Sequence, residues 1–366
     1  MTSAPHSVPS TSTALVPYDP TLPHVALRSH LEKVTDELCR RSLDIAKFES
    51  RHLSPLGQKW KERIVTGVAV GISHLYVDKG IGERMAALIT RNFRLGNYDT
   101  SSNPFSFKQA ILQDLKSIYP DKHLDLLCSE HPIPEYDPDR SLITLKEEDY
   151  TLEQINYMNS FGRSDFSKEV ESYIIPDTQI GYFKINMFPS PNFPETKTII
   201  DESLRRIANA EALIIDLRKN NGGSPTTVAL VASHLFDDKQ LINQIYQRSS
   251  NELTSFYAEP SNLGPVFGGK KPIYILTSER TFSAGEELAY DLQSSNRAIV
   301  IGQTTAGGAH PVRQFVVDDH IYAVIPFERA INPHTGKNWE GVGVIPDHLI
   351  AKDTDALAFA RALIEE

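Results

Sequence analysis

Two short stretches place side chains and backbone groups where they could carry out acyl-transfer chemistry. One is "DLRKNNGGSP", Asp216 to Pro225, which follows the apolar run Ala212-Leu213-Ile214-Ile215. Adjacent glycines straight after a buried strand admit positive φ and let another molecule come close to the backbone. Such a loop suits a phosphate, an oxyanion or a tight turn. The other stretch is "LTSERTFSAGEE", where the strand "PIYIL" gives way to a helix beginning near Ser283. A serine there sits beside unpaired N–H groups and the positive end of the helix dipole, which stabilise negative charge growing on a substrate oxygen. Each feature also has a plainer meaning. Serine favours the helix N-cap, and Gly-Gly pairs serve turns more often than anion cradles.

Both stretches need a parallel sheet behind them, because loops beyond the C-terminal ends of parallel strands converge on one crevice. From Gly181 the chain supplies one. "IGYFKINMF" reads as a strand, "ETKTIIDESLRRIANA" as an amphipathic helix, and "EALIIDLRKNNGG" as a buried strand with its loop. Helix "TTVALVASHLF", strand "KPIYILTSER", helix "SAGEELAYDLQ", strand "RAIVIGQTTAGG", a hairpin across 312–328 and the terminal helix "DTDALAFARALIEE" follow. Strand–helix alternation of this kind predicts parallel βαβ units and a layered α/β core.

The first third of the chain has a different grammar. Helical periodicity runs through "HVALRSHLEKVTDELCRRSLDIAKF" and through segments near 60–75, 80–95 and 105–118. The charge pairs of the first of these are those of an ordinary amphipathic helix. The expected organisation is a flexible Ser/Thr/Pro-rich tail over 1–22, a helical domain over 23–120, a short strand with a linker or flap over 121–180, and the α/β core over 181–366.

Of the 366 residues, 40% are hydrophobic and 23% charged, which is ordinary for a globular protein. A formal charge of −10 argues against binding nucleic acid, whose phosphates an acidic surface repels. No stretch reaches the roughly 18–20 apolar residues that span a bilayer, and the N-terminus does not read as a secretory signal. Cys39 and Cys128 give neither a disulfide framework nor a CxxC spacing, so a reducing cytoplasm is expected. Neither HExxH nor a Cys/His cluster is present, and no metal or other cofactor is expected.

Taken together, "IIDLRKNNGG", "TSERTFSAGEELAYDL", "IGQTTAGGA" and "NWEGVGVIPD" resemble the tail-specific, or carboxy-terminal processing, serine peptidase family. The likeness runs over roughly 180–350 and is strongest to the branch holding the tricorn core and interphotoreceptor retinoid-binding protein. It implies a ClpP/crotonase-like layered α/β core. It also implies that Ser283 is the nucleophile, that the Ala284 N–H is one half of an oxyanion hole, and that Gly222 or Gly223 supplies the other. Asp216 and Arg218 become scaffold residues for that loop. In the Ser–Lys branch the base is a lysine within the motif that reads "GQTTAGG" here, but Gly308 takes its place and no lysine occurs between Lys271 and Lys337. The tricorn-like branch uses a histidine from a short D-x-H strand instead. That makes His123 of "PDKHLDLL" the base and Glu340 of "NWEGVGV" the carboxylate that orients it.

Each of these has a bland counterpart. His123 alternates with apolar neighbours like a half-buried strand histidine, and Glu340 could be a surface acid in a turn. Glu286 and Glu287 fall in the first helical turn, where acids complement the dipole. His310, Phe282 and Trp339 are read as substrate contacts, with His310 a reserve base.

The leading function is a serine hydrolase acting on a peptide or a small amide or ester. The interval before "IGYFKINMF" is too short for the PDZ domain of many relatives. The alternatives are a carrier for an apolar ligand, lined by residues such as Phe282, Phe327 and Trp339, and an acyltransferase or cyclase using the same serine. Oligomeric state is open, a homo-oligomer included.

Overall fold

The computed structural model describes residues 57–128 and 166–365, apart from 263, 265 and 320. The expected N-terminal tail, the helix expected over 24–48 and most of the expected flap lie outside the described residues.

Three helices open the described chain: α1 (Gln58–Leu75), α2 (Lys79–Arg94) and α3 (Pro104–Ile118). Local chemistry sets two of their starts. Asp78 accepts from the Ile81 N–H at 2.8 Å, and Asn103 accepts from the Ser106 N–H at 2.8 Å ahead of Pro104. The helices bury Ile64, Val68, Ile72, Met85, Ile89, Ile111 and Leu115 in one hydrophobic cluster. The opposite wall of that cluster is a three-stranded sheet ordered β1–β10–β9, made from β1 (Asp125–Cys128), β9 (Val312–Asp318) and β10 (Ile321–Pro326). The last two strands are the hairpin expected over 312–328, paired antiparallel. Helix α1 meets it closely. A Cβ on Gly67 would come within 2.7 Å of Val317 Cγ1, and one on Gly71 within 2.9 Å of Ile325 Cδ1.

The main sheet has six strands in the order β12–β8–β7–β4–β3–β2. Strands β3 (Ile180–Ile185), β4 (Ala212–Asp216), β7 (Ile273–Thr277), β8 (Ile299–Gly302) and β12 (His348–Leu349) run parallel. The edge strand β2 (Val170–Ile174) is antiparallel. It lies within the stretch expected to be linker, so that linker in part completes the sheet.

Helices α4 (Pro194–Arg206), α5 (Pro225–Ser233) and α6 (Ala284–Ser294) pack on one face with Phe183, Leu213, Ile215, Ile275 and Val300. The terminal helix α7 (Ala356–Glu365) covers the other, over Tyr182, Ile214, Tyr274 and Ile301. Burial on both faces explains why β4 and β7 read as continuous apolar runs. A third sheet, β11–β5–β6, from β5 (Gln240–Gln247), β6 (Glu252–Ala258) and β11 (Glu328–Ile331), is antiparallel and was not expected.

Candidate active site

Strand β4 ends at Asp216, whose carboxylate accepts from the Arg218 N–H at 3.0 Å, Arg218 Nη2 at 2.6 Å and the Tyr182 hydroxyl at 2.7 Å. That fastens the turn into the Gly-Gly loop. Asn220 then shapes the loop from inside, donating to the Ile185 carbonyl at 2.9 Å and accepting from the Gly222 N–H at 2.8 Å. Phe188 pairs with the far edge, donating to the Gly222 carbonyl at 2.8 Å and accepting from the Ser224 N–H at 2.7 Å.

Both glycines are obligatory here, with φ of 108° and 137°. A Cβ on Gly223 would fall 1.9 Å from the Phe188 oxygen. One on Gly222 would stand 3.1 Å from Ser283 Oγ and 3.3 Å from the Ala284 nitrogen. The missing side chain therefore leaves open the space in front of the serine and the first N–H of α6. With the Gly222 N–H engaged by Asn220, Gly223 is the glycine left to donate.

Ser283 sits at the N-cap of α6 with φ 53° and ψ −123°. A non-glycine residue held there is strained, and such strain collects at functional sites. The turn is fixed by the Phe282 N–H donating to the Asn220 carbonyl at 3.0 Å and the Ser283 N–H donating to Glu286 Oε2 at 2.9 Å. Glu286 is fully buried and also accepts from Thr305 Oγ1 and the Gly307 N–H, both at 2.5 Å, and from the Gly308 N–H at 2.9 Å. One carboxylate thus clamps the 305–308 loop to the nucleophile turn. Burial pushes its pKa up, against the pull of those four donors.

His123 lies in the turn ahead of β1, not on a strand as expected. Its imidazole stacks on Phe282, the residue preceding Ser283, with centroids 4.4 Å apart and planes at 31°. Gly308 faces both rings: a Cβ there would come within 2.2 Å of Phe282 Cε2 and 2.8 Å of His123 Cε1. The space a side chain at 308 would enter is filled by His123 and Phe282.

The expected Ser283–His123 hydrogen bond is not formed among the described residues, and His123 Nδ1 is buried without a partner. Glu340 does not orient this ring. Its Oε2 accepts from the Ala309 N–H at 2.6 Å and lies 3.6 Å from His310 Nδ1. His310 in turn bonds Asp121 Oδ2 at 2.8 Å, and Tyr76 donates to the same oxygen at 2.9 Å. Asp121 Oδ1 accepts the His123 backbone N–H at 3.0 Å. One atom each from Asp121, His310 and Glu340 lies within 4.8 Å of the others, a spacing that a divalent ion could also bridge. The His310–Asp121 hydrogen bond accounts for that closeness as it stands.

Residues 179–350 match the family model for peptidase family S41. Over this stretch the chain is similar to peptidase family S41. The chloroplastic carboxyl-terminal-processing peptidase 2 of Arabidopsis thaliana is 32% identical over 190 residues, covering 50% of this chain and 35% of its own. The match thus spans about a third of that relative's length. A lipoprotein structure from Streptococcus agalactiae superposes with a TM-score of 0.52 at 16% identity, covering 83% of this chain and 96% of the other. The tricorn protease superposes with a TM-score of 0.54 at 14% identity, covering 84% of this chain and 37% of its own. At those identities the two structures share the fold.

The fold brings Ser283, Ala284, Gly222, Gly223, Phe282 and His123 to one place, and groups His310 with Glu340 beside them. It corrects two readings. Trp339 is only 2% exposed and its indole N–H donates to the Gly308 carbonyl at 2.7 Å, so it supports a loop and does not line a substrate surface. Phe327 is likewise buried, beneath the Arg313 guanidinium. Two residues were missed. Asp121 stands two positions before His123, a spacing that could have been read as a partner. Glu286 gave no signal beyond that of a first-turn acid.

The α/β core also hides two carboxyl groups on the inner side of α6. Glu287 and Asp291 are one helical turn apart, and among the described residues Glu287 Oε1 and Asp291 Oδ2 have no hydrogen-bond partner. Burial raises both pKa values, that of Glu287 to about 7. A carboxyl with a raised folded pKa keeps a proton that the unfolded chain gives up. Stability is therefore full below the ordinary glutamate pKa and falls as pH rises from there to about 7. Thermal melts should show Tm dropping between pH 5 and pH 8, and Glu287→Gln should flatten that slope. An unchanged slope in the variant would remove Glu287 as its source.

Proposed function

We propose that the chain is a serine-type peptidase or amide hydrolase that works through an acyl-enzyme. Ser283 Oγ attacks the substrate carbonyl carbon and His123 takes the hydroxyl proton. The N–H groups of Gly223 and Ala284 hold the oxygen that becomes negative, and the proton passes to the leaving amine. Water then repeats the sequence and frees the acid.

The observation that carries this reading is the open space over Gly222, bounded by a strained serine oxygen and the first N–H of a helix. Two further features support it. His123 fills the room left by the glycine at 308, where the Ser–Lys pattern calls for its lysine. The ring also lies against the residue next to the nucleophile, and catalytic hydrogen bonds commonly tighten only when substrate is bound. In this reading Glu340 acts on the 309–310 backbone and on His310.

The substrate class, a peptide or a related small amide or ester, is carried over with the family, and a cytoplasmic setting without cofactor remains part of the proposal. The carrier alternative loses two of its three lining aromatics to the protein interior.

Treatment with a fluorophosphonate followed by peptide mapping tests the reading. A single adduct on Ser283 is the expected result. Absence of an adduct, or one on another serine, removes the hydrolase.

A further inference from the structure

We propose that His310 is a positioning residue for His123: clamped between Asp121 and Glu340, it fixes the carboxylate that holds residue 123. This rests on the hydrolase reading for its function, though not for its geometry.

Three separate loops deliver the parts. Asp121 is fully buried and spends both oxygens, Oδ1 on the His123 backbone N–H and Oδ2 on Tyr76 and His310. Glu340 is tied to the Ala309 N–H, which places its carboxylate 3.6 Å from His310 Nδ1. Among the described residues, no lysine or arginine forms an ion pair with either acid, so His310 is the side chain that can bring positive charge to them. A buried carboxylate is costly without such a partner. The bonds from His310, Tyr76 and the His123 backbone hold Asp121 below the usual carboxylate range despite its burial.

His310 bears on His123 as well. Burial drives this imidazole down to about 4, the Asp121 carboxylate opposes that, and His310 adds to it. His123 is thereby kept neutral, the form a base must have. Other groups near the pair are Tyr76 at the end of α1, Tyr119 at the end of α3, Glu286 on α6 and Lys122, whose ammonium reaches the Ala306 carbonyl. None of them stands between His310 and Asp121.

A purely structural hydrogen bond would leave the titration of His123 where it is. The test is therefore imidazole NMR across pH on the whole chain, together with the pH dependence of Ser283 labelling. In His310→Gln the His123 midpoint should move up by about half a pH unit or more, since one of the groups that hold it down is gone. The acid limb of labelling should move the same way. Asp121→Asn removes the opposing negative charge and should move the midpoint down. His310→Lys restores charge and should bring it back towards wild type.

A midpoint that does not move in His310→Gln, or that moves the same way in both neutralising variants, overturns the assignment, as does a failure of His310→Lys to restore it. If Ser283 is never labelled the hydrolase reading falls, while the NMR midpoints still decide whether His310 governs His123.

Discussion

Replacing His123 with alanine is expected to slow fluorophosphonate labelling of Ser283 by about three orders of magnitude, within the range ascribed to a positioned general base. The fold should survive, because among the described residues the imidazole makes no hydrogen bond and its anchorage is backbone and stacking. Wild-type labelling carries a second signature. A base works when deprotonated, so the rate should hold on the alkaline side of the His123 pKa and fall as pH drops through about 4. An ordinary histidine would begin to fail near pH 6.5. Labelling in His123→Ala within tenfold of wild type would transfer the role of base to another group, with His310 first in line.

The second large effect belongs to Glu286. Alanine there strands the N–H groups of Ser283, Gly307 and Gly308 and the hydroxyl of Thr305 in a buried setting. Orphaned buried donors cost about 1–3 kcal/mol each, and water entering the cavity recovers part of that, so a loss of about 3–5 kcal/mol in urea unfolding is expected. Labelling should fall with it, because the strained Ser283 turn loses its internal brace. Glu286→Gln keeps the size and one acceptor and should be intermediate. A Glu286→Ala chain within 1 kcal/mol of wild type would show that the loop is held by other means.

How much of this was readable in advance differs residue by residue, for physical reasons. Ser283 and the Gly222–Gly223 pair could be read because strand ends and helix starts leave local marks. Glu286 could not, because an acid in a first turn looks the same whether it faces solvent or clamps a loop from inside. Glu340 was placed at the site but on the wrong partner, since a carboxylate's bonding depends on loops that meet only in the fold. Trp339 was mistaken for a ligand contact because its burial depends on Tyr290 and the Gly308 carbonyl, both remote in sequence. Strands β5 and β6 escaped notice because "QLINQIYQ" and "ELTSFYA" are half exposed, which blurs their alternation. Strand β2 was hidden in a polar stretch for the same reason.

The proposed nucleophile and the proposed base are rooted in different interiors. Ala284 and Leu288, beside the serine, are sunk in the cluster under the main sheet, while Leu124 and Leu126, beside His123, are sunk in the cluster that the opening helices share with the hairpin. In the proposed mechanism the two would meet at the seam between these two oily masses. A bulky residue at Gly67 would prise α1 from the hairpin and silence the serine from afar, with the oxyanion cradle still whole.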